Sequence, residues 1–203
     1  ARLEDADLRR AQAALMFRTY YGLLGQQGAV GIARENADGY VRLVDAAERL
    51  LAEGDPLLVT FDQVAEAAGV SRPLVHTYLG DRRGLLDAVQ VRIVGRMDAW
   101  VGHGLRRATT PRECLQAATA GLFAFVEAER DAWSVLVASG GLDHPALHGV
   151  RGRWAGRIAG ADRQAEVPAQ AAVAALVFGV GGWVHRGVDP HEVVAVLERM
   201  CPT

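Results

Sequence analysis

The stretch Val59–Leu86 constrains the fold more than any other part of the chain. It contains two short helical patterns joined by an Ala-Gly-Val-Ser segment, and a third helix begins directly after them. Thr60 and Gln63 have the spacing of a capping box at the start of the first helix. Gly69 stands where a helix ends in a left-handed residue. Ser71 stands at the position that caps the second helix.

Both short helices have an apolar stripe at helical spacing. The stripe of the first is Phe61, Val64, Ala65 and Ala68, and that of the second is Leu74, Val75, Tyr78 and Leu79. Pro73 fits the second helix because the first turn has no intrahelical N–H bond to lose. Two packed helices joined by a short glycine-containing turn form a helix-turn-helix, whose second helix enters the major groove of DNA.

The ordered residues T60-F-D-Q-V-A-E-A-A-G-V-S-R-P-L-V-H-T-Y-L-G-D-R-R-G-L-L86 resemble the DNA-binding signature of the TetR (tetracycline-repressor-like) regulators. The resemblance covers residues 39–107. It implies an all-α protein, in which a three-helix helix-turn-helix domain is joined by a linking helix to a helical ligand-binding and dimerisation domain. We therefore expect a helical extension over residues 1–38, a DNA-binding domain over 39–86, and an effector-binding and dimerisation domain over 87–203.

The resemblance also assigns roles on the second helix and around it. We expect Ser71, Arg72, Leu74, Val75, His76 and Thr77 to face the groove or its lip, with Arg72 and His76 as the first base contacts. Thr60, Tyr78, Arg82 and Arg83 would hold phosphates. The chain departs from the usual pattern at Pro73-Leu74, where a pair such as Gly-Thr is common, and at Gly84, where an acidic residue is usual.

The charge of this region argues against strong non-specific DNA binding. Residues 39–107 contain nine arginines and nine acidic residues, and the whole chain has a net charge of −2 and no lysine. Phosphate binding requires local positive charge, so it would have to come from Arg72, Arg82 and Arg83, with helix N-termini as further anion sites. The alternative to a regulator is a ligand-binding or protein-interaction module whose helix-turn-helix binds DNA weakly or not at all.

The segments before the motif have helical patterns. Asp5–Leu24 is predicted to be a helix, which glycines at 22, 25, 28 and 31 then interrupt. It is either a helix packed on the body of the molecule or an arm that contacts DNA through Arg9, Arg10 and Arg18. Tyr40–Ala52 is predicted to be an amphipathic helix that supports the motif.

The remainder has helical patterns throughout. The linking helix is predicted to begin at the capping residue Asp81 and to end at Gly102–Gly104. In the resembled family its sliding or tilting changes the separation of the two DNA-reading heads. The later helices are predicted at Pro111–Ala138 (with a break near Asp131), His144–Gly160, Pro168–Trp183 and Pro190–Met200.

The segment Val167–Val184 has no charged residue. A membrane span, burial within one subunit and a subunit interface all fit such a helix. The resemblance implies that the last two long helices pair with a second copy, so we predict a homodimer and no membrane span.

No catalytic or metal-binding pattern is present. His144 and His148 are four residues apart, but Pro145 places His144 outside a helix, and Cys114 and Cys201 have neither metal spacing nor a disulfide framework. We predict a cytoplasmic one-component regulator that is not an enzyme and has no metal or cofactor. Its expected activity is that of a repressor released from operator DNA by a small-molecule effector, and the expected pocket residues are Trp100, Phe123, Trp133, His148, Arg151, Trp154 and Phe178.

Overall fold

The fold is all-α, as predicted. The structure is a computed structural model that describes residues 29–56 and 58–201, and side chains from residue 38 onwards; within these ranges there is no β-strand. The helices are α1 (Ala29–Glu53), α2 (Phe61–Ala68), α3 (Arg72–Leu79), α4 (Arg82–Leu105), α5 (Pro111–Ala128), α6 (Arg130–Ala138), α7 (Pro145–Ala159), α8 (Glu166–His185) and α9 (Pro190–Met200). The chain divides into two compact units, Ala1–Val89 and Gln90–Thr203, and the division falls inside α4.

Helix α1 begins earlier than the sequence pattern predicts. It starts at Ala29 instead of Tyr40 and continues through Gly31 and Gly39. An isolated glycine costs a helix only about 1 kcal/mol relative to alanine, and burial of one helix face offsets that cost. Within residues 38–53 of α1, the buried residues are Gly39, Leu43, Val44, Ala46, Ala47 and Leu51. The predicted helix Asp5–Leu24 and the arm residues Arg9, Arg10 and Arg18 lie outside the described residues.

In the first unit, α1 packs against α2, and α2 packs against α3. Val64, Ala65 and Ala68 of α2 are buried, as are Val75 and Leu79 of α3. The predicted apolar stripes therefore form the core of a helix-turn-helix unit.

In the second unit, α4 and α5 approach each other closely through glycines. A Cβ on Gly104 would lie 3.0 Å from the Ala117 Cβ, and one on Gly121 would lie 2.8 Å from the Val101 Cα. The prediction that Gly102–Gly104 ends the helix is wrong, since α4 continues to Leu105. Gly104 is needed for packing and does not terminate the helix.

The break in the long helical pattern and the place of His144 agree with the prediction. The long helical pattern is interrupted at Glu129 (φ −122°, ψ 47°), between α5 and α6. His144 lies outside α7 and caps it, because its Nδ1 accepts from the Ala146 N–H at 3.1 Å. The core of this unit contains the fully buried side chains of Leu122, Phe125, Trp154 and Leu176.

Helix α8 is apolar around much of its circumference. Ala172, Val173, Leu176, Val177 and Val180 are completely buried, whereas Val167 is 72% and Phe178 53% exposed. Among the described residues, the segment 163–185 is long and apolar enough to cross a membrane by length and composition, with 33% of its most apolar window buried. A core or interface helix of a globular protein has the same composition, so this property is weak support for a membrane span.

Candidate nucleic-acid interface

The start of α2 and the turn after it are held by local hydrogen bonds. The Thr60 Oγ1 accepts from the Gln63 N–H at 3.3 Å, and the Thr60 N–H donates to the Gln63 side-chain oxygen at 2.8 Å. This is the predicted capping box. Gly69 has φ 66° and ψ 36° and ends α2 in the left-handed conformation. The turn therefore has the geometry that the sequence predicts.

Helix α3 begins at Arg72 with Pro73 in its first turn, as predicted. Ser71 stands at the N-cap position in an extended conformation, but its side chain makes no capping hydrogen bond. Ser71 thus occupies the predicted N-cap position, but the predicted capping by its side chain is wrong. Leu74 is half-buried, so only part of it reaches the surface.

The expectation that Val75 faces the DNA groove is wrong. Its exposed fraction is 0%, because it points into the core between α3 and its neighbours. The exposed residues around and on α3 are Ser71, Arg72, Pro73, His76 and Thr77. These five define the surface that could contact DNA, and we call it the reading face.

Arg72 is the basic side chain of the reading face, and it has an acidic partner on α2. Its Nη1 lies 3.2 Å from the Asp62 Oδ1, and the two side chains are 60% and 63% exposed. An ion pair in water at this exposure contributes about 1 kcal/mol or less. DNA phosphates or bases can therefore compete with Asp62 for the guanidinium.

Arg82, an expected phosphate contact, binds the preceding loop. Its Nη1–H donates to the Val59 carbonyl at 3.0 Å, and its Nη2–H donates to the Pro56 carbonyl. The side chain joins the start of α4 to the segment between α1 and α2. Arg82 thus has a structural role that the sequence pattern did not reveal.

His76 is held between two neighbours at the end of α3. Its ring centroid lies 4.7 Å from that of Phe61, and its Nδ1 lies 3.1 Å from the Gly80 carbonyl oxygen. The imidazole is exposed. Its two contacts therefore fix the orientation of a ring that lies at the surface.

Three other residues were expected to contact DNA, and they differ in how accessible their side chains are. The Thr77 Oγ1–H donates to the Pro73 carbonyl at 3.0 Å, which occupies its hydrogen within the helix. Tyr78 is half-buried, and its ring meets that of Tyr40 edge-on with centroids 6.2 Å apart. Arg83 is exposed at the start of α4. Only Arg83 of these three extends freely from the surface.

A shallow groove of about 440 Å³ runs beside the reading face. Its lining includes Thr60, Phe61, Arg72, His76, Asp81 and Arg82. The groove joins the start of α2, the end of α3 and the start of α4. Its lining holds four of the ten residues that the sequence selected for DNA, with Phe61 and Asp81 in addition. The contacts of Phe61 and Asp62 with α3 depend on side-chain packing, which spacing alone does not encode.

The expected effector residues of the second unit do not form one cluster. Trp154 is 1% exposed, and its Nε1–H donates to the Asp98 Oδ1 at 2.8 Å, so that hydrogen is not available to a ligand. Trp100 is 41% exposed and His148 is also exposed. Arg151 stacks over the exposed ring of Phe178, with its Cζ 5.3 Å from the ring centroid.

Phe123 of α5 and Trp133 of α6 both lie against α8, the first beside Trp183 and the second beside Gly181. Phe123 and Trp183 stack with their planes 11° apart and their centroids separated by 6.4 Å. A Cβ on Gly181 would lie 2.6 Å from the Trp133 Nε1, so this glycine makes room for the indole. Gly179 and Gly181 thus accommodate aromatic rings within a continuous helix.

No metal-binding cluster is formed in the described part of the chain. No group of three or more His, Cys, Asp or Glu side chains there could hold a metal ion. Cys114 and Cys201 are free thiols, and burial raises the pKa of each. A raised pKa keeps a thiol protonated and poorly nucleophilic.

The geometry of the first unit defines the class of the protein. Helices α2 and α3, with their capped start and left-handed turn, are the helix-turn-helix of a DNA-binding domain. Residues 43–89 match the family model of the bacterial regulatory proteins of the tetR family.

Two relatives match the chain in sequence. The transcriptional regulator BetI of Rhizobium meliloti (strain 1021) is 37% identical over 75 residues, which cover 37% of this chain and 37% of BetI. The transcriptional activator FasR of Mycolicibacterium smegmatis is 27% identical over 95 residues, or 47% of this chain and 43% of FasR. The matches thus span less than half of each relative.

The whole fold also has solved counterparts. A TetR-like regulator from Rhodococcus sp. RHA1 aligns over 80% of this chain and 93% of its own, with a TM-score of 0.58 and 23% identity. The fatty acid degradation regulator FadR from Bacillus halodurans aligns over 87% and 94%, with a TM-score of 0.59 and 15% identity. Residues 43–89 thus match the DNA-binding domain of the tetR family, and the described helices share the fold of these solved regulators.

Proposed function

We propose that this protein is a one-component transcriptional regulator that binds operator DNA through α3. Its expected activity is that of a repressor released by a small-molecule effector, and it acts in the cytoplasm as a homodimer. The observation that carries the proposal is the exposed reading face, held by the capped α2 and the Gly69 turn of a TetR-type domain. We retain the division into residues 1–38, 39–86 and 87–203 as the proposed functional segments.

The electrostatics of the first unit predict DNA binding that depends on a few contacts. Arg72 and Arg83 are exposed beside the reading face, but Asp62, Glu66 and Asp81 are exposed in the same region. Each neutralised phosphate releases counterions and adds about 0.9 to the slope of log affinity against log salt. If few phosphates are contacted, the affinity should depend only weakly on salt. Most of the affinity should then come from contacts with the bases.

The experiment is a fluorescence-anisotropy titration of the full chain with the DNA upstream of its own gene and with a random duplex of equal length. We expect the upstream duplex to bind at least about a thousandfold more tightly, which is the low end for specific regulators. Binding of both duplexes should weaken with salt. Equal binding of the two duplexes, or no salt dependence, would contradict the proposal.

The effector is proposed to bind in the second unit. In support, the Phe123–Trp183 stack, Trp133, and the Arg151–Phe178 pair offer aromatic surface with a nearby cation, which is the usual composition of small-molecule sites. A repressor is released when its effector binds the DNA-incompetent state more tightly than the competent one. A thermal-shift screen followed by DNA competition would identify such a ligand.

The homodimer is proposed to form through α8 and α9. Four large apolar side chains on these helices are exposed in the single chain: Val167 (72%), Phe178 (53%), Val196 (50%) and Met200 (39%). A two-fold partner would cover this surface and would place two copies of α3 on successive major grooves. It would also account for the apolar composition of α8 without a membrane.

A protein-interaction or ligand-binding module with weak DNA binding is the second candidate. The observations that favour it are the pairing of Arg72 with Asp62 and the use of Arg82 within the loop. The same titration distinguishes the two, because this candidate predicts similar weak affinity for both duplexes. The family comparisons concern regulators and give no support for an enzyme.

A further inference from the structure

The imidazole of His76 has one orientation because three contacts act on it and on its backbone. The Phe61 ring lies against it at 4.7 Å, tilted by 50°. Its Nδ1 lies 3.1 Å from the Gly80 carbonyl oxygen, and the Gly80 N–H donates back to the His76 carbonyl at 2.9 Å. The side chain and the end of α3 therefore hold each other in place.

Gly80 makes this arrangement possible. Its φ of 68° and ψ of −92° lie where residues with a Cβ are strained. This backbone turn directs the Gly80 carbonyl towards the imidazole one helical turn earlier in the chain. The orientation of His76 is thus encoded by a glycine four residues after it.

The hydrogen bond to Gly80 determines which ring nitrogen carries the hydrogen. A carbonyl oxygen can only accept, so the Nδ1 of His76 must donate. In a neutral imidazole protonated on Nδ1, the Nε2 has a lone pair and acts as an acceptor. Within the described part of the chain the Nε2 makes no hydrogen bond, and the side chain is exposed. His76 therefore presents a hydrogen-bond acceptor of fixed direction.

The charged groups near His76 do not change this assignment. Arg72, Asp81 and Arg82 line the same groove, but Arg72 is paired with Asp62 and Arg82 with two loop carbonyls. The Asp81 Oδ1 accepts from the Gly84 N–H at 2.9 Å. In the described structure each of these groups has a partner other than the imidazole.

We propose that His76 is a specificity-determining residue that accepts, through Nε2, a hydrogen bond from the exocyclic amino group of adenine or cytosine. This inference rests on the proposed function. In the major groove, adenine N6 and cytosine N4 are donors, whereas guanine presents only acceptors and thymine presents an acceptor and a methyl group. Neutral His76 therefore selects A or C over G and T at one position of the contacted strand.

The test begins with a duplex that the wild-type chain binds specifically and with salt dependence. Failure at this step contradicts the proposed function and not the role of His76. Each base pair is then replaced in turn, and affinities are measured for the wild type and for His76→Phe at about pH 8.5, where imidazole groups are neutral. Phenylalanine keeps a ring against Phe61 and removes the nitrogens.

We expect one position in each half-site at which the wild type prefers A or C by roughly fivefold to a hundredfold. His76→Phe should lose that preference and keep the others. A preference for G or T at this position would overturn the assignment. A uniform loss of affinity for every duplex would also overturn it, since that is the behaviour of a phosphate contact.

A second arm needs only the wild-type protein and does not depend on the folding of a variant. The selected adenine is replaced by purine, or the selected cytosine by 2-pyrimidinone, so that only the amino group is removed. We expect the affinity of the wild type for this duplex to fall by the same factor as for a duplex with G or T at that position. Unchanged affinity for the duplex without the amino group would show that the amino group is not the donor.

Discussion

At the scale of single residues, Gly84 stands where the TetR pattern usually has an acidic residue, and its surroundings leave no room for a side chain. A Cβ at this position would lie 2.0 Å from the Leu79 carbonyl oxygen and 3.1 Å from the Leu79 carbonyl carbon. Both are backbone atoms, so a larger residue would have to displace the end of α3 or the start of α4. The missing acidic side chain follows from this close approach.

We therefore predict that Gly84→Ala lowers the stability by roughly 2 kcal/mol or more, because a clash with backbone atoms is among the causes of large stability losses. Gly152→Ala is the matched control. Gly152 also lies in a helix, with no atom within 4 Å of its added Cβ, and alanine there should stabilise by about 0.5–1 kcal/mol. Urea denaturation of both variants measures the difference. The idea fails if Gly84→Ala is as stable as the wild type.

The pairing of Arg72 with Asp62 has a second consequence at this scale. Asp62→Asn should strengthen specific DNA binding, because it releases the guanidinium and removes a negative charge near the phosphates. The expected gain is about two- to fivefold, the range of an exposed ion pair. Glu66→Gln removes the same charge from α2 without freeing Arg72. Equal gains for the two variants would show that only net charge matters.

At the scale of elements, capping boxes hold the starts of two helices, α2 and α5. Helix α5 has one that the sequence analysis missed: the Thr110 Oγ1 accepts from the Glu113 N–H at 3.2 Å. The Glu113 carboxylate in turn accepts from the Thr109 N–H and Oγ1–H, at 2.7 and 2.8 Å, and from the Thr110 N–H. The Thr109 backbone hydrogen bond is the largest cause that lowers the pKa of Glu113 below its ordinary value of 4.5.

This lowered pKa predicts a pH-dependent contribution to stability. Because Glu113 binds its proton more weakly in the folded chain, its contribution is fully present above the unfolded pKa and is lost as pH falls through the folded pKa. Glu113→Gln should therefore be less stable than the wild type at about pH 7, and the gap should shrink below about pH 4. Thermal unfolding across this range measures it.

The control for Glu113 comes from the same helix. Glu127→Gln removes an exposed carboxylate from the last turn of α5, where it caps no backbone group. A negative charge at a helix C-terminus is mildly unfavourable, so this variant should not lose stability at neutral pH. Equal losses in the two variants would contradict the capping role.

At the scale of the whole molecule, the distribution of exposed apolar side chains supports assembly. Among the described residues, seven large apolar side chains are exposed, and four of them lie on α8 and α9. Phe178 is central because it is on α8 and has the Arg151 guanidinium over its ring. A subunit interface here would bury this surface, and aromatic and arginine side chains are common anchors of such interfaces.

We predict that the wild type sediments as a dimer at micromolar concentration and that Phe178→Glu shifts it towards monomer. Truncating or charging an anchor residue typically weakens an interface by about 2 kcal/mol or more, which is at least roughly thirtyfold. Val137→Glu is the control, because Val137 is 44% exposed on α6 and belongs to neither α8 nor α9. A wild-type monomer, or equal dissociation of both variants, would contradict the assignment of α8 and α9.

The sequence by itself determined the helix-turn-helix, the resemblance to the family and the order of the helices. Thr60, Gln63 and Gly69 have roles that depend on neighbours within a few residues, and local spacing encodes such roles. The position of His144 outside α7 and the break before α6 were predictable for the same reason. The face of α3 was predicted less well, since Val75 was assigned to the groove although periodicity also placed it in the core.

Only the tertiary structure decided the contacts between residues distant in the chain. Arg82 binds carbonyls more than twenty residues before it, Phe61 orients His76, and Gly104 and Gly121 allow α4 and α5 to approach. These features depend on how side chains pack and on which loop carbonyls need a hydrogen-bond donor. Both depend on residues that are far apart in the sequence, so a short stretch of sequence does not encode them.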